Sequence, residues 1–464
     1  MIVIGGGLAG LATALFLGSE GHDVTLFEAD QPPPDGNDAD AAFARWERRG
    51  AGQSRQSHMF LGRSSAELAR AAPDVLELLE EAGALRFDDP AMVDREGTPA
   101  PLIGARRFTY ELALRRAIER RPRVTIRSAA AVTGLLWVAG QTPSITGVRL
   151  ANGDEHRADL VVDCAGRRSM AHKWLVDAGS RPLPEQRQTC GFTYLTRWYR
   201  LREGHGFPDV VPPASVRLPY MSVLACPADR GWFSITLGLS EKEPLRRELR
   251  KGDRFDRIVR EVPVAGLFVE RATAASEPLP FGNIANQRRS LVDAQGPLAR
   301  GYVLIGDSSM HTNPTLGRGT SLAFAQARHL AGSLRVTEAS SAQLVEGEEE
   351  WSCEELKIWF DSQVTADAAL ADRFDRLATG RPLAEPNDAS RTRGALLAAA
   401  AEEPAVAREL RRTANLLITP AEMMTNAVVK QAICERVNGE LDLPEYVDSL
   451  PRGKFERLLA SPSP

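Results

Sequence analysis

Ile2-Val3-Ile4-Gly5-Gly6-Gly7-Leu8-Ala9-Gly10 opens the chain almost at its first residue, and Val24-Thr25-Leu26-Phe27-Glu28 follows it. The first three residues read as a short buried strand. The glycines read as a turn, and the apolar run to about Gly18 reads as a helix, with a second strand ending at Glu28. Each glycine has a separate duty. Gly5 permits the tight turn, Gly7 lets a pyrophosphate approach the backbone of Leu8 and Ala9, and Gly10 lets the helix lie close to the strand. The amides of the helix N-terminus and its positive dipole end suit a phosphate. Glu28 stands where a carboxylate accepts hydrogen bonds from ribose hydroxyls, and its charge would repel a 2′-phosphate. The unit therefore predicts a βαβ dinucleotide site for FAD or NAD in preference to NADP. A glycine-rich turn with no ligand is the plainer alternative, and the strand, helix, second strand and Glu28 together outweigh it.

A second segment favours FAD. A buried strand at Tyr302-Val303-Leu304-Ile305 runs into Gly306-Asp307, and the loop Pro314-Thr315-Leu316-Gly317-Arg318-Gly319 leads into a helix from about Thr320 to Leu334. An extended dinucleotide needs contacts beyond its adenosine half. Asp307 can accept from a ribityl hydroxyl. The loop from Pro314 through Gly317 and Gly319 leaves room for a flat ring, and the following helix points its positive end at the edge that becomes negative on reduction. His311 in the same loop is a candidate acid or base, although a lone histidine is more often a structural hydrogen-bond partner.

Asp159-Leu160-Val161-Val162-Asp163-Cys164-Ala165-Gly166-Arg167-Arg168-Ser169 makes a third motif. The three motifs in this order resemble those of the FAD-dependent monooxygenases related to para-hydroxybenzoate hydroxylase, in particular the bacterial epoxidase and halogenase-like branch. The resemblance covers motifs from residue 1 to about 335. Within it, Gly52-Gln53-Ser54-Arg55-Gln56-Ser57-His58 is similar to a loop whose arginine lies near the flavin. The resemblance thus implies Arg55 as a pyrophosphate or flavin contact; a surface salt bridge is the plainer reading. It also implies a reduced flavin that reacts with O2 to form a C4a-hydroperoxide and hydroxylates or epoxidises an organic small molecule. The cofactor carries that chemistry, so no catalytic triad is required. Hydroxylases of this group usually carry Ala-Asp-Gly where this chain has Cys164-Ala165-Gly166, with the acid instead at Asp163. NAD(P)H is expected as the electron source; the departure puts its direct binding in doubt, and a separate flavin reductase is the alternative route. The halogenase signature Trp-x-Trp-x-Ile-Pro is absent, which disfavours halogenation. Geranylgeranyl reductases share the layout, so a reductase or dehydrogenase stays open, as does a non-catalytic FAD-fold binding protein.

The 464 residues, 43% hydrophobic and 25% charged with a net charge of −4, fit a globular protein of several domains without the basic excess of a nucleic-acid binder. The five scattered cysteines form no CxxC pair, and the histidines form no metal-binding spacing. With no signal-like or membrane-spanning run, a cytoplasmic location is expected.

Working outward, the polar stretch 31–55, including Asp35 and Gly36, reads as a loop. Helices are predicted at 64–83 and 109–120, a strand at 124–126, and a hairpin about Asn152-Gly153. Strands at 191–200, 216–225 and 231–239 carry Tyr194, Tyr220 and Trp232, which line a substrate pocket or simply pack. Beyond 340 the chain reads as helical. Leu356, Trp359, Phe360, Val364, Leu370 and Phe374 form an apolar stripe that Asp367 interrupts, and 378–393 reads as a linker. The expected fold is α/β: a Rossmann-type FAD-binding domain from 1–170 and 286–340, an inserted antiparallel β substrate domain at 171–285, and a helical C-terminal domain at 341–464.

Overall fold

Glycine spacing and short, continuously apolar strands produce a parallel sheet at the N-terminal side. A computed structural model describes residues 1–34, 38–210, 214–437 and 449–460. The expected loop residues Asp35 and Gly36 lie outside that set. Strand β1 (Ile2–Ile4), helix α1 (Leu8–Ser19) and strand β2 (Val24–Phe27) form the opening unit. Helix α2 (Arg107–Glu119), strand β3 (Val124–Arg127) and strand β4 (Val161–Asp163) follow. With a later strand at Tyr302–Leu304 they make a five-stranded sheet in which β1 lies between β2 and β4. All four pairings in it are parallel. Such a sheet is covered on both faces, which is why β1 and β4 are buried throughout.

The middle of the chain is antiparallel. Strand β5 (Phe192–Leu201) pairs with β8 (Trp232–Ser240), which pairs with β7 (Met221–Pro227), which pairs with β6 (Ala214–Leu218). The single strand expected at 216–225 is therefore two strands. The chain reverses at Pro219-Tyr220, a turn that apolar alternation does not reveal. The turn at 227–231 joins β7 to β8 as read from the sequence, and Leu279–Phe281 pairs with β5. The Asn152-Gly153 turn joins Ser144–Leu150 to Glu155–Arg157, and Val132–Val138 completes that small sheet.

Two helical expectations shift. The run 64–83 is two helices, Gly62–Ala71 and Asp74–Glu81, because Pro73 follows Ala72, whose backbone leaves the helical region at φ −158°. Helix α3 (Gly319–Ser333) matches the expected one to within a residue, and α4 (Lys357–Ala378) carries the interrupted stripe. The expected linker is cut short by a helix at Asp388–Glu402, where the Asn387 side chain caps the amide of Ser390. The last helix, Arg452–Ala460, puts Phe455 and Leu459 into the core of the middle sheet. No helix among the described residues is long and apolar enough to cross a membrane.

Candidate functional site

At the glycine turn, backbone shape comes first. Gly5 has φ +96°, and a Cβ there would sit 2.7 Å from the Cys164 carbonyl oxygen. A Cβ on Gly10 would overlap the carbonyl oxygen of Gly5, so Gly10 is a packing residue and does not line the site. Gly7 differs from both. Only the Arg107 guanidinium, at 3.4 Å, lies within 4 Å of where its Cβ would be. Helix α1 begins after Gly7 with no side-chain cap, which leaves its first-turn amides to a ligand.

Glu28 is buried at the end of β2. Its Oε2 accepts from the Gly6 amide at 2.8 Å and its Oε1 from the Asp30 amide at 2.8 Å. The sequence reading missed what lies beside it. Arg48 sits 3.0 Å from Glu28, 3.0 Å from Asp30 and 3.2 Å from Glu111, and donates to the Gly6 carbonyl at 2.9 Å. Burial works against its charge, but the three carboxylates outweigh burial and hold its pKa above the ordinary value. Arg107 pairs with Glu111 at 2.7 Å, and the Nε and Nη2 of buried Arg115 have no hydrogen-bond partner. A buried network of three arginines and three carboxylates, balanced in charge, thus underlies the glycine turn and leaves the free amides of α1 as its anion-facing groups. Arg48 is one arginine among several in a polar loop, and no spacing rule marks it.

The second motif meets the first directly. Gly306, with φ +67°, has no side chain because a Cβ would come 2.8 Å from that of Ala9 and 3.4 Å from that of Ala323. Gly306 therefore packs between α1 and α3 rather than lining the site. Asp307 Oδ2 lies 3.1 Å from His311 Nδ1. Burial would raise the Asp307 pKa, but His311, Arg107 and Arg167 outweigh it and hold the carboxyl below its usual range. The Nε2 of His311 is buried without a hydrogen-bond partner, while its Nδ1 faces Asp307. Asp163 is fully buried and spent on structure. It accepts from Ala165, Ser308, Ser169 and Tyr302, tying the third motif to the second.

The loop after Asp307 is clamped from the C-terminal side. Asp367 on α4 accepts from Asn286 at 2.8 Å, from Asn313 at 2.9 Å and from Gln363 at 2.9 Å. The Asn313 amide donates to Asn286 Oδ1 at 2.7 Å. The charge that interrupts the apolar stripe is thus the anchor of the loop it faces. After Asn313, a short turn at Pro314–Leu316 ends at Gly317, with φ +65°, and α3 starts at Gly319 without a side-chain cap.

These parts enclose one cavity of about 1580 Å³. Gly5, Gly7, Leu8, Ala9 and Glu28 line one end with Arg48, and Asp307, His311, Pro314, Gly317 and Gly319 line the middle. The far part is walled by Tyr194, Thr196 and Thr236 of the antiparallel sheet and by Leu396, Leu410 and Met423 of the C-terminal helices. Arg55 is placed elsewhere, which corrects the expectation for it. Its guanidinium donates to the carbonyls of Phe43 and Trp46 and lies over the Phe108 ring at 5.6 Å. Tyr220 and Trp232 also stay out of the cavity. The Tyr220 hydroxyl donates to the Leu450 carbonyl, and Trp232 stacks with Phe43 and Arg106. Cys164 is buried, which pushes its thiol pKa well up and leaves it no nucleophile.

The amide-lined turn and the glycine clearances fit an extended dinucleotide. Comparison with known proteins agrees. Residues 1–93 match the family described as FAD dependent oxidoreductase. A Mycobacterium tuberculosis protein, Protein Rv3254, is 26% identical over 361 residues, covering 72% of each chain. Among solved structures, the flavin-dependent brominase Bmp2 superposes with a TM-score of 0.61 at 15% identity, over 94% of this chain and 98% of that one. The p-nitrophenol 4-monooxygenase PnpA of Pseudomonas putida gives 0.56 at 16% identity, over 90% and 97%. At such identities these structures establish a common fold.

Proposed function

We propose that this chain, which carries an FAD-dependent oxidoreductase domain over residues 1–93, is an FAD-dependent monooxygenase that inserts one oxygen atom of O2 into an organic small molecule by hydroxylation or epoxidation. The observation that carries this reading is the continuity of one cavity from the glycine turn past Asp307 to a separate sheet face. Its volume exceeds the roughly 300–1,000 Å³ of a typical single-ligand pocket, so cofactor and substrate can share it.

In this reading, segments 1–170 and 286–340 bind the cofactor, the sheet of 171–285 holds the substrate, and the helices of 341–464 cover it. The uncapped amides after Gly7 would bind the pyrophosphate, with the Arg107 guanidinium beside Gly7. Glu28 accepts from the ribose, Asp307 from a ribityl hydroxyl, and Gly317 and Gly319 admit the flat ring. Bound FAD supplies the reduction of O2 and the oxygen transfer, with electrons from NAD(P)H delivered through a separate flavin reductase. The chain itself orients the two ligands and keeps water out, through the apolar walls of Leu396, Leu410 and Met423. Turnover under isotopically labelled O2 tests the reading. One labelled oxygen atom in the product is expected. Unlabelled product, with turnover that continues without O2, would make the protein a reductase or dehydrogenase instead.

A further inference from the structure

The sheet side of the cavity carries hydroxyl groups whose hydrogens can be assigned one by one. Gln56 Nε2 faces the Leu279 carbonyl at 3.5 Å, and a carbonyl can only accept, so Gln56 Oε1 points the other way. That oxygen accepts from the Thr196 hydroxyl at 2.6 Å, which spends the single hydrogen of Thr196. Thr236 lies 2.7 Å from Thr196 and must then be the donor. Ser57 lies 2.6 Å from Thr236 and must donate in turn, and Ser234, 2.7 Å from Ser57, donates to it. The chain runs in one direction, from Ser234 through Ser57 and Thr236 to Thr196, and ends on an amide oxygen.

A second chain gives the same result. Asn313 Nδ2 donates to Asp367, so Asn313 Oδ1 is the atom that accepts from the Tyr194 hydroxyl at 2.7 Å. Thr315, 2.6 Å from that hydroxyl, is left to donate to it. His58 closes the set. Its Nδ1 is 2.9 Å from the Gln56 carbonyl and so carries the hydrogen. Burial, helped by the charge of Arg107, pushes its pKa down to about 4, which leaves the ring neutral and Nε2 a bare lone pair at pH 7. Ser57, His58, Tyr194, Thr196, Thr236 and Thr315 all line the cavity.

We infer that the patch formed by Ser57, His58, Tyr194, Thr196, Thr236 and Thr315, having spent its hydrogens internally, offers only lone pairs to a ligand and therefore selects a substrate that brings an O–H or N–H donor to it, rejecting a carboxylate at that position. The inference rests on the reading that the sheet side holds the substrate. A carboxylate there would be buried against acceptors, and an ether would leave them unpaired, whereas a phenol or alcohol satisfies them.

Calorimetric titration of the FAD-loaded protein with naphthol, methoxynaphthalene and naphthoate tests it. Naphthol is expected to bind on the order of tenfold more tightly than its methyl ether, as one added hydrogen bond allows, with naphthoate weakest. Thr236→Val and, separately, Thr196→Val cut the chain while preserving shape. Each is expected to bring the naphthol-to-ether ratio toward one. Equal binding of ether or naphthoate, no binding of naphthol, or an unchanged ratio in both variants overturns the inference. The isotope experiment above reports separately. Labelled product without donor preference defeats this inference alone, and donor preference without labelled product defeats the monooxygenase reading alone.

Discussion

The two ends of the cavity are built from different materials. The nucleotide end is made of backbone: an uncapped helix start after Gly7, a turn that only Gly5 can make, and the close contact of Gly306 with Ala9. The sheet end is made of side chains drawn from four separate segments, with Ser57 meeting Thr236 and Tyr194 meeting Thr315. A site made of backbone is set by where side chains are missing, and the spacing of glycines records that directly. A site made of side chains depends on how sheets and helices come together, which no short motif records.

If that contrast is right, the glycines at the nucleotide end should divide sharply. Gly10→Ala drives a methyl group into the Gly5 carbonyl, which is backbone and cannot yield. A stability loss of about 3 kcal/mol or more is expected in denaturant melts, with little FAD retained. Gly7→Ala meets only the end of an arginine side chain. It should change stability by less than about 0.5 kcal/mol while weakening FAD binding, as flavin fluorescence titration would show. Equal effects of the two would blur the contrast.

At the sheet end the largest effect is expected at the clamp. Asp367→Ala leaves the side-chain amides of Asn286, Asn313 and Gln363 without their acceptor. A loss of about 2–3 kcal/mol in chemical unfolding is expected, together with a changed absorbance envelope of bound flavin, because Asn313 precedes the ring-facing loop. Asp307→Ala should weaken FAD binding by about 10- to 100-fold, the worth of a hydrogen bond to a charged group, with a smaller effect on the melt. A further effect concerns pH. The folded-state pKa of His58 lies near 4 against 6.5 for a free imidazole. The unfolded chain therefore takes its proton first as pH falls, and this contribution to stability, complete above pH 6.5, is lost toward pH 4. His58→Gln should flatten that part of the stability curve; an unchanged slope would mean the ring is not held neutral.

The sequence made β1, α1, β2 and α3 legible to within a residue or two, since each joins a strong periodicity to a glycine boundary. It did not show the reversal at Pro219-Tyr220, because both halves of the hairpin alternate in the same way. Arg55 was the arginine that resemblance favoured, yet its guanidinium is satisfied by the carbonyls of Phe43 and Trp46. Arg48 takes the place beside Glu28 because tertiary packing, not spacing, brings Asp30 and Glu111 to it. Asp367 was visible as a flaw in an apolar stripe. A buried charge persists only where donors meet it, so the flaw itself pointed to a partner that local reading does not name.

In the proposed function the first-turn amides of α1 and the carboxylate of Asp307 grip distant portions of a single FAD molecule. A crystal structure of the protein grown with FAD tests this most directly. Continuous density is expected, with the pyrophosphate at Leu8 and Ala9, a ribityl hydroxyl on Asp307 and the ring beside Pro314 to Gly319. A flavin lying outside this cavity, or a complex in which Asp307 touches no part of the cofactor, would contradict it.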